Sequence, residues 1–204
     1  MTSILTGDIV HSQKIAPALW LDLLKIEFAY YGSSPSNWEI FRGDSFQLEV
    51  ANPLEALAAA IKIKATIKCI KDLDVRIAIG IGTKTYCANE ITQSNGSAFN
   101  YSGEQFDRLK REKRNLAIAS EWTDFDRDLS LLIRLALMEM DNWTTSSAEI
   151  VKTVLEYPDK SQYELGKMLG IKQNAVSSRL KRAHFDEISE LINLYKIKLN
   201  SYLR

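Results

Sequence analysis

Glu39-Ile-Phe-Arg-Gly-Asp-Ser-Phe-Gln-Leu-Glu-Val50 is the stretch whose reading decides the fold. Two apolar-rich runs flank Arg42-Gly43-Asp44, and this spacing predicts a β-hairpin whose tight turn falls at the Gly-Asp pair. A second Gly-Asp stands upstream in Ile4-Leu-Thr-Gly-Asp8-Ile-Val10, again inside a strand-like run. Gly-Asp is also what a plain turn demands. Two carboxylates on adjacent strands, completed by phosphate oxygens and water, are the usual way a protein holds Mg²⁺. Asp8 and Asp44 are therefore expected to meet in space as a metal pair.

Working outward, residues 3–10 read as the first strand. Pro17 starts a helix in which Leu19, Leu23, Ile26 and Tyr30 recur at helical spacing. Asn52-Pro53 opens a second helix, with Leu54, Leu57, Ala58, Ile61, Ala65 and Ile70 toward one side. Its Lys62, Lys64, Lys68 and Lys71 are expected on a solvated face. Val75, Ile77, Ile79 and Ile81 alternate with Arg76, Ala78, Gly80 and Gly82 in the clearest strand of the chain. The bare Gly/Ala face of that strand predicts close approach of a helix, a backbone or a ligand. A helix over about 98–114 and a strand over 115–120 follow, and no strand signal appears beyond residue 122.

The order β–α–β–β–α–β, then a further helix and strand, predicts an α+β chain: a ferredoxin-like α/β sandwich over residues 1–122 and an all-α domain over residues 123–204. In the latter, Thr144-Thr-Ser-Ser-Ala-Glu149 is read as a helix start with a Ser146…Glu149 capping box.

Residues 161–183 have the spacing of a helix-turn-helix. Gly166 lets two helices cross, Gly170 makes the turn, Ile171 plugs it, and Val176 with Leu180 packs the second helix onto the first. Lys172, Gln173, Asn174, Ser177, Ser178 and Lys181 are expected on the exposed side, with Arg179 and Arg182 adding charge at the rim. The alternative is a helical hairpin used only for packing. Composition favours DNA. The chain as a whole is neutral, 26 basic residues against 26 acidic. From Asp159 onward nine basic residues outnumber five acidic ones.

The 204 residues, 46% apolar and 25% charged, are ordinary for a globular protein and argue against disorder. Cys69 and Cys87 stand alone, without metal-ligand spacing, which fits a reducing compartment. Neither a signal peptide nor a membrane span is legible, so a cytoplasmic location and no membrane partner are expected. His11 and His184 lack partners and read as surface residues; the four tryptophans read as core or interface. The last helix is apolar on one side, as a docking or dimerising helix is.

Four blocks then carry a resemblance: Leu-Thr-Gly-Asp8-Ile-Val, Arg-Gly-Asp44-Ser-Phe, Val75-Arg-Ile-Ala-Ile-Gly80 and Gly96-Ser-Ala-Phe-Asn100. In this order, across about the first 120 residues, they resemble the core of class III nucleotidyl cyclases, and the SatD-like group in particular. The resemblance implies Asp8 and Asp44 as ligands of Mg²⁺ or Mn²⁺ carrying a nucleoside triphosphate, with Ile9 supplying backbone beside the first. It implies Asn100 as the residue that orients a ribose. Where cyclases carry a transition-state arginine, this chain has Glu104, and Arg108 is the nearest substitute. A lost cationic clamp removes a large electrostatic term, so little or no cyclase activity is expected. The segment Val-Ser-Ser-Arg-Leu-Lys-Arg-Ala183 resembles the DNA-binding modules of sigma-like and response regulators.

Three readings follow from these residues. The favoured one is a DNA-binding transcriptional regulator with a degenerate cyclase-like domain that senses a metal-nucleotide, working as a homodimer. The others are an active nucleotidyl cyclase or related phosphoryl-transfer enzyme, and an interaction protein that binds neither ligand nor nucleic acid.

Overall fold

The structure, a computed structural model, describes residues 1–203. Its sheet is built from β1 (Thr2–Val10), β2 (Trp38–Phe41), β3 (Ser45–Val50), β4 (Asp74–Gly82) and β5 (Leu116–Ala119), in the spatial order β2-β3-β1-β4-β5. β1 is central and antiparallel to both β3 and β4, whereas β5 joins β4 in parallel. The hairpin turns through Arg42 and Gly43, both at positive φ, so that Phe41 faces Ser45. The helices of this half are α1 (Leu21–Ala29), α2 (Ala56–Lys68) and α3 (Ser97–Glu112). The remainder is helical: α4 (Thr123–Met140), α5 (Thr145–Glu156), α6 (Gln162–Leu169), α7 (Gln173–Arg182) and α8 (Phe185–Tyr202).

The two faces of the sheet have different roofs. Val75, Ile77, Ile79 and Ile81 of β4 are buried with Leu5, Ile9, Phe46 and Leu48 in the main core, beneath α1 and α2. The opposite face of β4 is small because α3 lies directly on it. A Cβ at Gly80 would sit 2.1 Å from the Ala98 carbonyl oxygen. The predicted close approach is thus made by a helix.

Three expectations are corrected. In α1 the buried stripe is Leu24 and Phe28, continuing from Trp20, and Phe28 packs on Phe46 with ring centroids 4.9 Å apart. Leu19, Leu23, Ile26 and Tyr30 are exposed. Two apolar stripes interleave in this helix, and the one carrying the larger rings is buried; each such side chain contributes about 1.5–3 kcal/mol.

In α2, Lys64 is fully buried and the Lys62 and Lys68 side chains are nearly so; only Lys71, beyond the helix, is exposed. α2 is sandwiched between the sheet and the helical half, with α5 packed along it. A helix roofed on both sides has no solvated face, and its ammonium groups persist only because carboxylates meet them. Lys62 meets Glu27 at 3.0 Å, and Lys64 meets Asp74 at 2.7 Å and Asp141 at 2.6 Å.

α5 is capped by Thr144, whose hydroxyl accepts from the Ser147 amide, in place of a Ser146…Glu149 box. The capping box of this half is Ser161 with Glu164, at the start of α6.

The main core continues without a break from the sheet into α4, α5 and α8, through Phe125, Leu129, Ile133, Val151, Ile188 and Tyr195. Tyr195 donates to the Pro53 carbonyl at 2.6 Å, and burial pushes its phenol well above the usual range. Among the described residues, no helix is long and apolar enough to cross a membrane.

Candidate nucleic-acid interface and the Asp8 cluster

α5, α6 and α7 form a three-helix unit around a small core of its own: Ile150, Leu165 and Val176 are buried, with Val154, Leu169, Ile171 and Leu180 packed against them. The turn between α6 and α7 is built as the spacing predicts. Gly170 takes a left-handed φ of 66°, and the Ile171 amide donates to the Gly166 carbonyl at 2.9 Å. A Cβ on Gly166 would stand 2.7 Å from the Ile171 carbonyl oxygen. The capping box rigidifies the start of α6: the Ser161 amide donates to Glu164 at 2.9 Å, and with help from Lys160 it holds that carboxyl low, at about 2.

With Val176 turned inward, α7 presents Asn174, Ser178, Lys181 and Arg182 on its outer side, with Lys172 and Gln173 exposed at its leading end. Ser177 is half-buried. The Arg179 guanidinium donates to Glu149 of α5 at 2.6 Å, an ion pair that ties α7 to α5. The cations of this surface that make no ion pair among the described residues are Lys172, Lys181 and Arg182. α7 is anchored again at its far end, where Trp143 donates from Nε1 to the Ala183 carbonyl at 3.0 Å.

Asp8 and Asp44 lie at the same end of the β1–β3 pair, but with different partners. Asp8 is in register with Ser45 on β3 and Arg76 on β4. Alternation along β1 sends it toward α3, the side on which Thr6 donates to Ser102 at 3.0 Å. Both Asp8 oxygens accept from Arg76 at 3.1 Å, and the Lys110 ammonium of α3 stands 3.6 Å away. Asp44 stays in the turn, where its carboxylate accepts from the Ser12 hydroxyl and its carbonyl from the Ile9 amide. The Ile9 amide is thereby used in joining β1 to the hairpin turn, and the Ile9 side chain lies in the core.

These residues do not fit a divalent cation as they are arranged. Mg²⁺ and Mn²⁺ require oxygen donors with a net negative charge, whereas Asp8 is already matched by Arg76 and Lys110, and Asp44 is turned to the Ser12 hydroxyl. Of the buried polar atoms without a protein partner nearby, Arg76 Nε is a donor and Gln47 Oε1 is an acceptor. Among the described residues, no cluster of three or more His, Cys, Asp or Glu side chains has metal-binding geometry.

Asn100 is exposed on the first turn of α3, whereas Lys110, which reaches Asp8, lies near the other end of that helix. At 1.5 Å per residue they are about 15 Å apart along the axis, so one chain does not bring Asn100 to Asp8. Arg108 faces away from Asp8, into a hollow against β5 and α4. Sequence reasoning missed Arg76 and Lys110. The available signal was Arg76 itself, the one basic residue in an otherwise aliphatic strand.

No protein-family model and no curated protein sequence matches this chain.

Proposed function

We propose that this chain is a sequence-reading DNA-binding regulator in which α7 enters the major groove. The observation that carries the reading is the three-helix unit. α7 is held by a closed apolar core and by the Arg179–Glu149 pair. Its outer face is left to Gln173, Asn174, Ser178, Lys181 and Arg182, with no acidic residue anywhere in α7. Asparagine and glutamine can pair bidentately with adenine edges, and the lysines and arginine suit phosphates. Recovery of a preferred sequence from a randomised duplex pool tests this; recovery of none contradicts it.

In this proposal the α/β half is ferredoxin-like with β5 appended, a reading supported by the order β2-β3-β1-β4 and by the antiparallel pairing of β1 with both neighbours. Its part is to orient the three-helix unit, and no step in the proposal runs through a metal-nucleotide.

The proposal includes a homodimer. The groove between α4 and α8, about 800 Å³, is lined by Leu132, Leu135, Met138, Leu191 and Leu194 and borders His184, where α7 hands over to α8. A second copy seated there would cover Leu135 and Met138, now 55% and 71% exposed, and would present two α7 helices to a two-fold DNA site.

A further inference from the structure

The densest charge in the chain is Arg108-Leu-Lys-Arg-Glu-Lys-Arg114, which neither the α7 surface nor Asp8 accounts for beyond Lys110. Cations in the last turn of a helix offset its dipole, and that suffices for Lys110 and Arg111. It does not account for Arg134, which comes from α4 and faces the same place. Between α3, α4 and the edge strand β5 lies a hollow of about 210 Å³ lined by Arg108, Arg114 and Arg134, with Gln105 and Ser130 as further polar groups. Its one carboxylate, Glu112, is paired with Arg114. Arg108 and Arg134 make no ion pair among the described residues, so two guanidinium charges face one hollow uncompensated.

Like charges brought together from two separate helices repel. They are an unfavourable arrangement for a bare fold and a favourable one for an anion. Guanidinium groups match the geometry of phosphate oxygens, which they bind in bidentate fashion. A neighbouring hydroxyl and amide add hydrogen-bonding capacity for the remaining oxygens. The volume takes a phosphate or diphosphate group and leaves no room for a whole nucleotide.

We propose that Arg108, Arg114 and Arg134 form a binding site for the phosphate or diphosphate group of a small molecule, separate from both α7 and Asp8. The same chemistry is offered by a DNA backbone, and the experiment distinguishes the two sources.

Inorganic pyrophosphate is titrated into the full chain by calorimetry, against sodium chloride at matched ionic strength, for wild type, Arg108→Gln and Arg134→Gln. Both arginines are exposed, so the variants keep their fold, checked by circular dichroism. The expected result is saturable pyrophosphate binding that weakens about tenfold or more in each variant, as loss of a charge-assisted hydrogen bond predicts. DNA binding and its salt dependence should stay unchanged in both. Absence of binding, equal binding in the variants, or an effect reproduced by sodium chloride overturns the site. A variant that loses DNA affinity while pyrophosphate fails to bind overturns the small-molecule source. Failure of α7 to bind DNA leaves the pyrophosphate result standing by itself.

Discussion

Lys64 Nζ lies 2.6 Å from Asp141 Oδ1 and 2.7 Å from Asp74 Oδ1, and so ties α2, β4 and the end of α4 together from a fully buried position. Lys68 reinforces the tie, donating to the Asp141 carbonyl at 2.8 Å. Removing one partner of a buried pair leaves a charge without compensation. Lys64→Met should therefore cost about 3 kcal/mol, the low end of the usual range, because Lys68 remains 3.3 Å from Asp74. Urea unfolding followed by tryptophan fluorescence and by far-UV circular dichroism should give one shared transition with a lowered midpoint and an unchanged slope. A loss below about 1 kcal/mol means that the pair is not the latch described.

The Glu164 carboxyl lies at about 2 against an ordinary 4.5, chiefly because the Ser161 amide donates to it. A depressed carboxyl stabilises the fold fully above its ordinary value and ceases to do so as pH falls through its folded value. The contribution of this cap to the three-helix unit should therefore fade between pH 4.5 and about 2. A carboxyl-carbon NMR titration checks this; a midpoint near 4.5 means that the capping box is not formed in solution.

Much of this was legible in the sequence. The β4 alternation, the hairpin turning within Arg42-Gly43-Asp44 and the Gly166–Gly170–Ile171–Val176 turn are local patterns, each set by a period or a backbone conformation. What was not legible depends on contacts between distant segments. Arg76 reaches Asp8 across a register linking residues 68 positions apart, and nothing in either strand alone specifies it. The burial of Lys64 depends on α5 covering α2, so a lysine spacing that suits a solvated face describes a sandwiched helix equally well. In α1 two apolar stripes compete, and only the position of Phe46 decides for Phe28. The Arg179–Glu149 pair likewise follows from how α7 lies on α5.

Cys69 donates to the Ala65 carbonyl, and burial pushes its thiol up to about 11, whereas Cys87 is exposed. Iodoacetamide at pH 8 should modify one thiol in the native protein, Cys87, and both after unfolding, as mass spectrometry of the peptides reads out. Rapid native labelling of Cys69 runs against the α2 packing.

Met138 is exposed by 71% on the rim of the α4–α8 groove. If a second copy seats there, Met138→Glu should convert a dimer to a monomer by light scattering. It should leave the unfolding midpoint of the monomer within about 0.5 kcal/mol, as surface substitutions do. A wild-type protein that is monomeric at tens of micromolar contradicts the dimer.

On the proposed reading, α7 enters the major groove of DNA. The most direct test is fluorescence anisotropy on a selected duplex and on a scrambled one, across a salt series, for wild type, Asn174→Ala and Lys181→Gln. Asn174→Ala should lose about 1–3 kcal/mol on the selected duplex alone, because a base contact carries discrimination. Lys181→Gln should weaken both duplexes alike and lower the salt slope by about one. Equal losses on both duplexes for Asn174→Ala, or wild-type binding that ignores salt, would contradict the account and leave α5 to α7 as a packing unit.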